Sequence, residues 1–316
     1  MSKIRVCFLG TPEFAVVSLR ELLRDEHFEV VGVVTQPDRP AGRKMQLTPS
    51  PVKVLALSHG LPVISPESVN KEILLQEVQK WGAEVAVVVA FGQILSTKFL
   101  GLFRYGAVNI HGSILPRWRG AAPIQRSLQH GDLESGVTLQ KVVKELDAGD
   151  ILGIRRCPLS QDMNAKELHD HLAKLGAELL HVELMDYVRG NLAGVPQDVS
   201  QVTYAKKIDK NEALIQWQES AQQIHNKVRA FVMGPGTFST FRGKKIKIHG
   251  TKLVSLANKN GKPGEVIQNQ EGRLVVAAGL GSLELVVLQP ESRNRTSSAD
   301  FIQGYKPVLG EYFGTS

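Results

Sequence analysis

Two periods alternate along the first two thirds of the chain. Residues 4–9 form a short apolar run ending at Gly10, and Phe14, Val17 and Leu22 follow on one helical face. Thr11-Pro12 between them predicts an N-cap with proline at the first helical position. Residues 28–35 read as a second, valine-rich strand, and the connection 36–51 that follows holds four prolines and several cations. A helix over 52–58, a short strand over 61–64 and a helix over 67–81 come next. Residues 84–90 are uninterruptedly apolar after Glu84 and rich in β-branched side chains, the pattern of a central parallel strand covered on both faces. Another strand is expected over 105–110. This strand–helix rhythm predicts an α/β fold with a doubly wound, mostly parallel sheet.

Residues 134–158 read as two further strands separated by Leu146-Asp147-Ala148-Gly149-Asp150. Asn164 with Glu167 three residues on resembles a capping box before a leucine stripe (Leu168, Leu172, Leu175 and Leu179), and Gly190 can end that helix. Low periodicity around Gly190, Gly194 and Pro196 marks 189–206 as a linker. Beyond it lies a helix over 221–231, then short β-type runs over 237–241, 245–249, 264–267, 274–277 and 283–288. Turn signals such as Asn260-Gly261 and Glu271-Gly272 separate them, which suggests a small OB-like β-barrel. The expected domains are therefore 1–188, a linker 189–206, and 207–316.

Charge sharpens this division. Residues 205–316 carry 16 Lys and Arg against 9 Asp and Glu, a net of +7 that equals the net charge of the whole chain. The excess is densest at Arg242, Lys244, Lys245, Lys247 and Lys252. A neutral module followed by a basic one suggests that the second meets a polyanion. Two cysteines, Cys7 and Cys157, cannot supply a disulfide framework and fit a reducing compartment. The apolar run from Val85 to Phe91 is far too short to span a bilayer, and the first residues do not read as a signal peptide. A cytoplasmic protein without a membrane partner is expected.

The first strand–helix turn, Gly10-Thr11-Pro12-Glu13-Phe14, has one glycine where a dinucleotide fingerprint needs three, and no P-loop exists in the chain. His169 and His171 lie two apart on a predicted helix and point to different faces, so no metal site is expected there, and neither cysteine has a partner at ligand spacing. The informative stretch is Asn109-Ile110-His111-Gly112-Ser113-Ile114-Leu115-Pro116. Asn109 and His111 fall on one face at the carboxyl end of a predicted strand, where open α/β sheets bind ligands. An amide donor beside an imidazole suits an oxyanion on a tetrahedral centre. Asp147 is the second anchor. Its spacing leaves open an Asx-type turn or a carboxylate that orients a histidine or relays an amine proton.

At these residues the chain resembles the 10-formyltetrahydrofolate-dependent formyltransferases. The matching features are Asn109-x-His111, the Ser113-Ile114-Leu115-Pro116 loop, and Gly136-Val137-Thr138 followed by Leu146-Asp147-Ala148-Gly149-Asp150. The likeness runs over nearly the full chain through Gly10-Thr11-Pro12-Glu13-Phe14-Ala15, the stretch Thr35 to Arg43, and Pro116 to Gln125. The resemblance implies formyl transfer from 10-formyltetrahydrofolate, a cosubstrate, to the α-amine of methionyl initiator tRNA, with no permanently bound cofactor and no metal. It implies Asn109, His111 and Asp147 as the catalytic trio and Ser113, Ile114, Leu115 and Pro116 as the folate-binding loop. Arg43 and Lys44 in the 36–51 connection, and Lys244, Lys245 and Lys247 in the basic module, are the implied tRNA contacts. Two alternatives differ in class. A formyltransferase acting on a sugar amine would have no use for a basic module, and an RNA-binding protein on a degenerate scaffold would have no use for Asn109, His111 and Asp147.

Overall fold

The computed structural model describes residues 3–41, 45–257 and 261–314. The chain divides into two compact units that alternate along the sequence. One comprises Met1–Gly120, Ser135–Cys157 and His169–Ala205, the other Ala121–Glu134, Pro158–Leu168 and Lys206–Ser316.

In the first unit, β1 (Ile4–Gly10), α1 (Glu13–Arg24) and β2 (Phe28–Val34) open the fold. The 36–51 connection is not wholly irregular, because β3 (Arg39–Ala41) and β4 (Gln46–Thr48) pair antiparallel within it. There follow α2 (Pro51–Ser58), β5 (Val63–Ile64), α3 (Glu72–Lys80), β6 (Val85–Val89), α4 (Thr97–Leu100), β7 (Ala107–His111) and β8 (Arg119–Gly120). After α5 (Pro123–His130), which belongs to the second unit, come β9 (Glu134–Lys141), β10 (Ile151–Pro158), α6 (Ala165–Val188) and β11 (Tyr204–Ala205).

The main sheet has the order β10-β9-β7-β6-β1-β2-β5. It is parallel from β7 to β5, and β9 runs antiparallel to β7. Every residue of β6 is buried, as its β-branched run requires for a strand between two parallel neighbours. Strand order reverses between β1 and β6, so the loops at the carboxyl ends of these strands frame a crevice of the kind that binds ligands. Thr11 serves these loops rather than the helix. Pro12 is the cap of α1 without a side-chain bond, while Thr11 Oγ1 donates to the Phe91 carbonyl (3.2 Å) and accepts from the Gln36 amide (3.3 Å).

The helix expected over 67–81 begins only at Glu72. Residues 66–70 are held open by the 93–96 loop. Val69 N donates to Gln93 Oε1 (2.8 Å), Gln93 Nε2 to the Pro66 carbonyl (2.8 Å), and Asn70 Nδ2 to the Ile94 carbonyl (2.8 Å). Asn164 does close a capping box with Glu167 at the start of α6. The 189–206 segment is fastened to the first unit over much of its length. Val195 pairs with Ile151, and β11 pairs parallel with β8.

In the second unit, α7 (Ala221–Ala230) starts from a capping box of Ser220 and Gln223. The strands β12 (Thr237–Phe241), β13 (Lys244–Ser255), β14 (Val266–Gln268), β15 (Val275–Ala277), β16 (Ser282–Pro290) and β17 (Thr296–Ser297) precede α8 (Ser298–Tyr305). The antiparallel order is β12-β13-β16-β15-β14, with β17 on β16. Its two edges are joined by the end of the chain. Val266 N donates to the Glu311 carbonyl (2.7 Å), Phe313 N to Gly264 (2.8 Å) and Gly314 N to Thr240 (2.8 Å). This closure covers the edges of β12 and β14 and packs Phe313 onto Phe241, Phe301 and Trp217. Residues 121–134 and 158–168 join this unit because α5 packs on α7 and Arg229 donates to the Ser160 (3.1 Å) and Met163 (3.0 Å) carbonyls.

Candidate active site

Asn109 and His111 lie on β7 opposite Gln140 and Thr138 of β9, so the four side chains share one face of the sheet. Ile110 points the other way onto α6, where Gly176 leaves it room. His111 is only 6% exposed. Its Nε2 lies 2.8 Å from the Trp118 carbonyl, which can only accept, so Nε2 carries a hydrogen. Nδ1 is then the nitrogen that gains or lacks a proton, and it faces Asp147 Oδ2 at 3.6 Å. The half-buried Asn109 side chain has no hydrogen-bond partner among the described residues, which leaves its amide available to a ligand.

Asp147 sits in the β9–β10 turn with φ +49°, in the left-handed region that side chains rarely adopt. Its carboxylate accepts from Gly120 N on Oδ2 (2.8 Å) and from Gln140 Nε2 on Oδ1 (3.1 Å). Glycine at 149 is required, because a Cβ there would run into the Lys141 carbonyl. Gln197 donates to the carbonyls of Asp147 (2.9 Å) and Gly149 (2.7 Å), and its own oxygen accepts from Arg119. The structure thus brings Asn109, His111 and Asp147 to one corner. It also adds Gln140, Gln197, Arg119 and the Trp118 carbonyl, which sequence patterning missed. Strand alternation in β9 could have pointed to Gln140. Nothing in the aperiodic 189–206 segment marks Gln197.

The Ser113–Pro116 loop is braced from within. Ser113 Oγ donates to the Arg117 carbonyl (2.6 Å), while Thr138 Oγ1 donates to the Ser113 carbonyl (2.7 Å) and accepts from Leu115 N (3.0 Å). Ser113 and Leu115 are buried, and Ile114 and Pro116 are the half-exposed side chains of this loop.

In the second unit, Lys245 and Lys247 alternate with buried Ile246 and Ile248 and therefore share the outer face of β13. They line a groove of about 240 Å³ with Gln289, Pro290, Glu291 and Ser292. Lys245 Nζ lies 3.8 Å from the centre of the Phe238 ring, and Lys244 is exposed. Arg242, counted with these cations from sequence, is committed elsewhere. It holds Glu311 with two hydrogen bonds (2.7 and 2.8 Å) and the Tyr305 carbonyl (3.0 Å). The Arg242 hydrogen bonds hold the Glu311 carboxyl below its usual range. Arg43 and Lys44 lie outside the described residues. Among the described residues, no group of three or more His, Cys, Asp or Glu is placed to hold a metal ion, and no helix is long and apolar enough to cross a membrane.

The formyl transferase family model matches residues 2–184, and its C-terminal domain model matches 207–306. The chain belongs to the formyl transferase family. It is a formyl-transferring enzyme, and formyl-tetrahydrofolate is the substrate that this family uses. A methionyl-tRNA formyltransferase of Bdellovibrio bacteriovorus is 62% identical over 317 residues, covering 99% of this chain and all of that one. A methionyl-tRNA formyltransferase of Methylococcus capsulatus is 44% identical, with 99% and 100% covered. Among solved structures, an N-formyltransferase of Helicobacter canadensis in complex with folinic acid and dTDP-3-aminofucose shares the fold. Its TM-score is 0.66 at 19% identity, over 91% of this chain and 99% of that one. The formyl transferase fold therefore accounts for both units.

Proposed function

We propose that this formyl transferase moves the formyl group of 10-formyltetrahydrofolate to the α-amino group of methionyl initiator tRNA, giving N-formylmethionyl-tRNA for translation initiation in the cytoplasm. The observation that carries the chemistry is the unpartnered Asn109 amide beside the His111–Asp147 pair. The full-length relatives and the basic face of β13 support the tRNA substrate.

The neutral amine attacks the formyl carbon and negative charge develops on the formyl oxygen. Asn109 donates to that oxygen. His111 has one hydrogen engaged at Trp118, so it adds a second donor through Nδ1 as the imidazolium, with Asp147 beside it. Asp147 accepts the ammonium proton, directly or through water. The new carbon–nitrogen bond forms, the bond to folate nitrogen breaks, and that nitrogen leaves with a proton. Folate enters and departs as a cosubstrate along the 113–116 loop, and in this scheme no resident cofactor or metal takes a step. Lys244, Lys245 and Lys247 meet the tRNA phosphates, and Arg43 and Lys44 approach the end of the acceptor stem.

The test offers 10-formyltetrahydrofolate with methionyl initiator tRNA, with methionyl elongator tRNA and with nucleotide-linked amino sugars. Formylation of the initiator alone supports the proposal. Transfer to an amino sugar with none to tRNA would overturn it.

A further inference from the structure

A carboxylate that must take up a proton needs to be ionised and held in place without being neutralised. A guanidinium in direct contact would hold Asp147 but also weaken it as a base. The first unit holds a cation close by and keeps it one residue away. Arg119, only 8% exposed, donates from Nε (3.0 Å) and Nη2 (2.8 Å) to the side-chain oxygen of Gln197. Because arginine only donates, that oxygen is fixed toward it and the Gln197 amide nitrogen faces the opposite way. The nitrogen meets the carbonyls of Asp147 and Gly149, which only accept, and the Gln140 side-chain oxygen at 3.3 Å. Gln140, 2% exposed, must then turn its own nitrogen to Asp147 Oδ1. No amide along this path can flip without setting donor against donor. The polarity imposed by Arg119 therefore arrives at Asp147 as a neutral N–H, leaving Oδ2 to Gly120 N and His111.

We propose that Gln197 is a positioning residue of the transfer reaction, the middle of an Arg119–Gln197–Gln140 relay that holds the Asp147 carboxylate aimed. The inference rests on Asp147 being the proton acceptor of the proposed reaction. Gln197 acts on both the backbone and the side chain of Asp147. Two of its bonds brace the turn that keeps Asp147 at φ +49°. A longer contact at 3.3 Å, sharing one of the two amide hydrogens, faces the Gln140 side-chain oxygen and keeps the Gln140 nitrogen toward the carboxylate.

The test uses the full chain with Gln197→Leu, Gln197→Glu and Gln140→Leu. Each is measured for kcat and KM with 10-formyltetrahydrofolate and methionyl initiator tRNA, for kcat against pH, and for thermal melting. Gln197→Leu should lower kcat roughly 10- to 100-fold with both KM values nearly unchanged. The acid limb of its kcat profile should move to higher pH, because Gln140 loses the contact that turns its nitrogen toward Asp147, and a weakened donor disfavours the ionised carboxylate. Gln140→Leu should move that limb the same way. Should Gln197→Leu fail to fold, Gln197→Glu decides. It keeps the partner of Arg119 and the volume but cannot donate, and its charge should raise the limb further. Folded Gln197 variants with an unmoved acid limb, or a raised KM at constant kcat, would overturn the relay while leaving the proposed reaction standing. A wild-type chain that does not formylate methionyl initiator tRNA would overturn the reaction itself.

Discussion

The corner around Asp147 and the outer face of β13 treat polar groups in opposite ways. At Asp147 the two facing side chains are 7% and 13% exposed, and each carboxylate oxygen has an assigned donor. On β13 the lysines stand in water. Lys244 and Lys247 make no ion pair among the described residues, and Lys245 rests only on the Phe238 ring. A reacting centre tolerates displacements of about half an ångström, so its residues are locked by directional bonds. Binding to a polyanion depends on charge density and released counterions, so its residues can stay mobile. The same kind of substitution should therefore fail differently in the two places.

The largest effect is expected in the corner. Replacing Asn109 or His111 by Ala should lower kcat by roughly 10²–10³, the usual loss for one oxyanion donor. Binding of folate and tRNA should change little, since the interaction is made in the transition state. Steady-state kinetics at saturating tRNA checks this. A variant with near-normal kcat would remove that residue from the trio and erase half of the contrast.

The face of β13 should respond in affinity and not in kcat. Neutralising Lys244, Lys245 and Lys247 together to Gln should weaken tRNA binding on the order of tenfold or more and flatten its salt dependence by about one unit of slope per lost phosphate contact. Changing the same three to Arg should preserve both, because charge rather than geometry is required. Titrating tRNA affinity against salt decides the matter, and an unchanged slope would make these lysines a solvated face without a partner. Cutting the chain near Tyr204 would be a poor substitute. It would strip α5 of the α7 surface on which it packs.

What could be read from sequence follows the same division. The β7 run, the buried β6 and the C-terminal strands announce themselves because burial imposes a period on consecutive residues. Asn109 and His111 were found because they interrupt such a period at a strand end. Gln197 and Arg119 were not, since a polar side chain that bonds to distant carbonyls leaves no local trace. The late start of α3 has the same cause, as the bonds that Val69 and Asn70 donate to Gln93 and Ile94 reach more than twenty residues along the chain. Arg242 shows the converse failure. Its charge is plain in sequence, but its commitment to Glu311, 69 residues on, is not.

The smallest predicted effect carries the comparison into the second unit, which holds a buried polar knot around His225. His225 is 3% exposed. Its Nε2 lies 3.1 Å from the Gln161 carbonyl, and so carries hydrogen, while Nδ1 at 2.9 Å accepts from Thr251 Oγ1. The neutral ring is satisfied at both nitrogens. Burial pushes the His225 pKa below its ordinary value, and Arg229 adds to this. Together they outweigh the Gln161 bond and Asp162, 3.4 Å from Nε2. The unfolded chain then binds the proton more readily than the folded one. The stability contributed by neutral His225 is complete above about pH 6.5 and declines as pH falls from there toward the depressed folded value, by at most about 1.4 kcal/mol per pH unit for one proton. Glu212 and Glu311 titrate below this window, because hydrogen bonds from Arg126 and Arg242 hold both carboxyls under their usual range. Melting curves between pH 7.5 and about 5 should therefore show the wild type losing a few degrees more than His225→Gln, which stays neutral and can still donate to Gln161. Equal acid sensitivity in the two proteins would mean that this knot, unlike the Asp147 corner, does not depend on which groups carry protons.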